Sequence, residues 1–115
     1  MIMSQIQIQE QIGGTVITLK GQFIGGDETE ALRKSLSEIG ETAKNAIIID
    51  LEKVTYLNST ALGVLIEAHT HFVKKDGKIV LCNVSKSIEN LFVITKLTLV
   101  FPIYQSIEEA IKSLS

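Results

Sequence analysis

The stretch that decides the fold is Ala46-Ile47-Ile48-Ile49-Asp50-Leu51, followed by Val54-Thr55-Tyr56-Leu57 and Asn58-Ser59-Thr60-Ala61-Leu62-Gly63. Four consecutive apolar residues ending at an aspartate have no polar alternation. That pattern suits a strand covered by helices on both faces, the usual situation in a parallel sheet. Beyond it, Asn58-Ser59 opens a helix whose apolar stripe is Leu62, Leu65, Ile66, Phe72 and Val73, stopped by Lys74, Lys75 and Gly77.

Working outward, Ile6, Ile8 and Ile12 keep strand spacing, and Gly13-Gly14 joins them to Val16-Ile17-Thr18-Leu19 as an antiparallel hairpin. Asp27 with Glu30 has capping-box spacing before the helical stripe Leu32, Leu36 and Ile39, closed by Gly40. Towards the C-terminus, Lys78 to Cys82 reads as a strand, and Ser85 caps a short helix carrying Ile88, Leu91 and Phe92. Phe101 to Tyr104 is a brief edge strand containing Pro102. Ser106 and Glu109 then frame a last helix bearing Ile107, Ala110, Ile111 and Leu114. The order β-β-α-β-α-β-α-β-α predicts an α/β fold: a mixed, mostly parallel five-stranded sheet with four helices, one domain over residues 1–115. Ile47, Ile48, Ile49, Leu65, Ile66 and Leu81 are the expected core.

Composition narrows the function classes. The chain has 115 residues, 45% hydrophobic and 21% charged, which is enough to build a core without metal or disulfide. A net charge of −2 with no basic stripe lacks the footprint of a nucleic-acid binder. The single Cys82 fits a reducing compartment. Residues 1–10 carry no signal-peptide pattern, and Leu91 to Phe101 is too short and too interrupted to span a bilayer. The expectation is a cytoplasmic protein without membrane insertion.

Catalytic chemistry is not legible. His69 and His71, two apart on a helix, point to nearly opposite sides and cannot share a metal. Cys82 reads as a buried, inert thiol. Gly25-Gly26 precedes a helix but lacks the Gly-Lys-Ser/Thr of a phosphate loop. No cofactor is implied, and the chain reads as a binding module, not an enzyme.

The segments Ile47 to Leu51, Val54 to Leu57 and Asn58 to Gly63 together resemble the signature of the STAS domain, shared by anti-sigma factor antagonists and the cytoplasmic tails of sulphate transporters. Leu19-Lys20-Gly21-Gln22-Phe23 is similar to that family's early Leu-x-Gly-x-apolar segment, and Val84 through Ala110 to its closing pattern. The resemblance implies an anti-sigma factor antagonist whose partner is an anti-sigma factor serine kinase. That kinase is sequestered until it phosphorylates the serine matching Ser59, with Thr60 as the alternative acceptor. It also implies a docking surface of Phe23, Ile24, Tyr56, Leu57, Asn58, Ser59 and Thr60. Two positions depart from the pattern: Asn58 replaces the usual Asp, and Ala61 the usual Gly. The plainer reading is that Asn58 and Ser59 only start a helix, since both residue types favour caps. Other readings are a STAS subunit of a lipid or anion transporter or of a stress-signalling complex, and a nucleotide or small-molecule binding protein, for which no motif speaks.

Overall fold

The hairpin, the long central strand and the helices between the later strands all form. The computed structural model describes residues 5–11, 13–42 and 46–114. In chain order these are β1 (Ile6–Gln11), β2 (Gly14–Phe23), α1 (Gly26–Thr42), β3 (Ala46–Leu57), α2 (Ser59–Val73), β4 (Lys78–Cys82), α3 (Lys86–Ile94), a 3-10 turn (Leu97–Leu99), β5 (Ile103–Tyr104) and α4 (Ile107–Ser113). The sheet order is β1-β2-β3-β4-β5, with β1 antiparallel to β2 and every later pair parallel. The hairpin closes at Gln11↔Gly14, so Gly14 belongs to the strand, and Gly13 takes the positive φ of +100° that the turn requires. Ile12 lies outside the described residues.

The triple-isoleucine run occupies the centre of the sheet and points both ways. Ile47, Ile49 and Leu51 enter the larger core with Ile17, Leu19, Leu32, Leu65, Phe92 and Phe101, beneath α1, α2 and α3. Ile48 faces the opposite side, in a smaller cluster with Val16, Val80, Cys82 and Ala110 that α4 covers.

β3 does not stop at Asp50, as its apolar run suggests, but continues to Leu57. Its register with β2 slips between Thr18 and Lys20 and again between Gly21 and Gln22. Each slip inserts one extra residue in β3, so inward side chains fall three apart, at Leu51, Val54 and Leu57, all buried. A spacing of three is invisible to a search for period two. Val54 to Leu57 is therefore strand, not loop.

Two helices also differ from their sequence reading. α1 begins at Gly26, and it is Glu28, not the pair Asp27 and Glu30, that reaches back to its N-terminus. The Glu28 carboxylate accepts from the N–H of Gly25 at 2.7 Å and of Ile24 at 3.3 Å. Its own N–H first, then that of Gly25, with Ile24 adding, hold this carboxyl below the usual carboxylate range against the opposing pull of burial. In α2 the buried set is Ala61, Leu62, Val64, Leu65 and Phe72. Ile66 and Val73 sit on the flank of that stripe, 39% and 51% exposed, so Ile66 is not core. His69 packs edge-on against Phe101 with ring centroids 5.4 Å apart.

Candidate functional site

Ser59 is the first residue of α2 and its side chain is exposed, as is that of Thr60. The preceding residue, Asn58, caps the helix in extended backbone conformation, and its Oδ1 accepts from the Ala61 N–H at 2.8 Å. The N–H groups of Ser59 and Thr60 have no intrahelical acceptor, as in any first turn. They leave partial positive charge beside the Ser59 hydroxyl.

Asn58 also ties this turn to a segment 34 residues earlier. Its Nδ2 donates to the Ile24 carbonyl at 3.1 Å, and its backbone N–H donates to the Phe23 carbonyl at the same distance. The two side-chain partners fix the amide orientation: the oxygen faces a donor and the nitrogen an acceptor. Ile24 is clamped from the other side by Glu28, which binds its N–H. Its side chain is 49% exposed, and that of Tyr56, three residues before Ser59, is 50% exposed. Phe23 and Leu57, placed on the docking face by the sequence reading, are instead buried at 0% and 1%. Each ends its strand and points into the core, so they support the surface from below. Ala61 is fully buried, and its methyl group is part of the larger core.

An aspartate at position 58 would keep the cap but set a carboxylate oxygen against the Ile24 carbonyl. Asn58→Asp is expected to cost about 1 kcal/mol, the net value of the lost hydrogen bond. Asn58→Ala, which loses the cap as well, is expected to cost about 2 kcal/mol. Urea denaturation of the three proteins checks the order, and an Asn58→Ala midpoint equal to the parent's would mean that neither bond contributes.

The remaining polar groups do other work. Asp50, 7% exposed, accepts at Oδ1 from the Glu52 N–H at 3.0 Å and from the Asn83 amide at 3.1 Å, tying the middle of β3 to the residue that follows β4. Burial first, then the carboxylates of Asp50 and Glu52, pushes the Cys82 thiol up to about 12, so it stays protonated and unreactive at neutral pH. Among the described residues no cluster of three or more His, Cys, Asp or Glu could hold a metal ion, and no helix is long and apolar enough to cross a membrane. The Gly25-Gly26 turn is no phosphate cradle, because the Glu28 carboxylate already takes the N–H groups of Ile24 and Gly25. A groove between α1 and α2, lined by Leu36, Val64 and Phe72 and bridged by the Arg33–Glu67 ion pair, lies along later turns of α2 than Ser59.

Comparison with known proteins agrees with this architecture. A candidate anti-sigma factor antagonist of Bordetella bronchiseptica, BtrV, is 23% identical over 101 residues, covering 88% of this chain and 87% of that protein. An anti-sigma-factor antagonist (STAS) domain protein from Planctomyces limnophilus superposes with a TM-score of 0.86 at 22% identity, covering 99% of this chain and 100% of that one. The unphosphorylated form of the anti-sigma factor antagonist SpoIIAA gives 0.80 at 21% identity, with 94% of each chain covered. The family model described as the STAS domain matches residues 4–110, from before β1 into α4. With this match and this fold, the chain belongs to the STAS domain family.

Proposed function

We propose that this chain is an anti-sigma factor antagonist, a phosphorylation-switched binding module that sequesters an anti-sigma factor kinase and so frees a sigma factor. The observation that carries the reading is the exposed Ser59 hydroxyl in the first turn of α2; Ile24, whose carbonyl Asn58 binds, and Tyr56 are exposed as well. In the unmodified state the neutral serine, together with the exposed Ile24 and Tyr56 as the other members of the docking surface, packs against the kinase. The kinase supplies ATP and the catalytic groups; Ser59 supplies only the acceptor oxygen, which bonds to the γ-phosphorus as ADP departs. The product carries roughly −1.5 to −2 extra charges at one point of the docking surface. The orphan N–H groups of the first turn stabilise that charge within the fold, so release does not require unfolding. The protein works in the cytoplasm, where its partner and the sigma factor act.

Incubation with the cognate anti-sigma kinase and ATP is expected to add one phosphoryl group, located on Ser59 by mass spectrometry and absent from Ser59→Ala. Label on Thr60 would move the acceptor by one residue. No label on either, with stable kinase binding, would overturn the switch and favour a constitutive STAS subunit of a larger complex.

A further inference from the structure

Asn58 and Glu28 hold the same peptide unit at its two ends. The carbonyl of Ile24 accepts from Asn58 Nδ2 at 3.1 Å, and the N–H in the same amide plane, that of Gly25, donates to Glu28 Oε2 at 2.7 Å. The other end of the Asn58 side-chain amide, Oδ1, accepts from the Ala61 N–H at 2.8 Å. Three hydrogen bonds therefore run in series from the first turn of α1 to the first turn of α2. Ser59 lies inside the last of them, between Asn58 and Ala61. Groups linked in this way polarise one another, so the Glu28 carboxylate strengthens the bonds beyond its own.

Gly25 is fitted to that carboxylate. A Cβ at this residue would lie 2.9 and 3.0 Å from the two Glu28 oxygens, closer than any side chain tolerates. The φ of Gly25 is not positive, so the turn itself does not demand glycine; the carboxylate folded over it does.

We infer that Glu28 is a positioning residue for the acceptor turn: through the Ile24–Gly25 peptide and the Asn58 amide it holds the geometry in which Ser59 is presented to the kinase. The presentation to a kinase rests on the function proposed above. The coupling does not: a side chain of α1 governs the first turn of α2 whatever docks there.

Amide hydrogen exchange of the full chain tests the coupling. In Glu28→Ala the Ala61 N–H should exchange about threefold faster or more, as its hydrogen bond weakens. The N–H groups of Ile88 and Glu109, capped by Ser85 and Ser106, should keep their parental rates. Glu28→Gln should restore most of the protection, because its amide oxygen can still accept from the N–H groups of Ile24 and Gly25. Gly25→Ala should act as Glu28→Ala does, and the double variant should be no worse than either alone. An unchanged Ala61 rate in folded Glu28→Ala, or additive losses in the double variant, would overturn the inference. With the cognate anti-sigma kinase and ATP, Glu28→Ala should label at Ser59 about threefold more slowly or worse, and Glu28→Gln close to the parent. Parental labelling of Glu28→Ala would refute the positioning role. A parent chain that takes no label counts against the proposed function alone, and exchange at Ala61 then still decides the coupling.

Discussion

Ser59→Asp is expected to fold as the parent does and to bind the anti-sigma kinase about tenfold more weakly or worse, a loss of roughly 1.4 kcal/mol or more. The two halves of that result come from different parts of the same turn. Within the fold, a carboxylate at the first position of α2 lies beside the orphan N–H groups of Ser59 and Thr60 and the positive end of the helix dipole. Stability should hold or rise by about 0.3–1 kcal/mol. Across the interface, the same charge lands on the proposed docking surface, where the kinase would also desolvate the exposed Ile24 and Tyr56. A charge carried into that contact loses its water and gains no cation in return. Glu28, clamping Ile24 from behind, is already an anion in this region, and a second adds to it. Ser59→Ala is the control: it removes the acceptor oxygen without adding charge, and should bind like the parent. Titration of both variants against the kinase decides the matter. Parental affinity in Ser59→Asp would mean that charge at this turn does not govern docking.

Ile48→Ala is expected to destabilise the protein by about 2–5 kcal/mol, the range for truncating a buried isoleucine. That is a large share of the 5–15 kcal/mol that holds a typical domain together. Ile48 is fully buried in the centre of the sheet, between Val16 of β2 and Val80 of β4. Its side chain fills the smaller core, which one seven-residue helix covers through Ile107, Ala110, Ile111 and Leu114. Strand neighbours cannot close the gap without breaking the ladder, and only α4 can settle into it. Ile66→Ala makes the comparison, since Ile66 is 39% exposed and its loss should cost less than about 1 kcal/mol. Chemical denaturation reads both. Equal losses at the two positions would contradict the packing described for β3 and α2.

Much of the site was legible because it depends on near neighbours. The caps at Asn58, Ser85 and Ser106 each bind an N–H three residues on, at Ala61, Ile88 and Glu109. Such bonds follow from residue type and spacing within one turn. The failure at Asp27 and Glu30 has the same scale. The helix starts at Gly26, so the residue in the cap position is Gly25, two residues earlier than the spacing of Asp27 and Glu30 suggests, and Glu28 is the carboxylate in reach of its N–H.

What the sequence by itself determined is the order of strands and helices, the central place of Ile47, Ile48 and Ile49, and the position of Ser59 at a helix start. Hydrophobic periodicity and capping are local and survive without knowledge of the fold. Only the tertiary structure decided that β3 runs on to Leu57, because register slips against β2 replace a period of two by steps of three. It alone turned Phe23 and Leu57 inward and left Ile66 on a flank, since which side of a strand or helix is covered depends on elements distant in the chain. The tie from Asn58 to the Ile24 carbonyl belongs to the same class. It spans 34 residues and exists only because parallel pairing of β2 and β3 brings the two strand ends together.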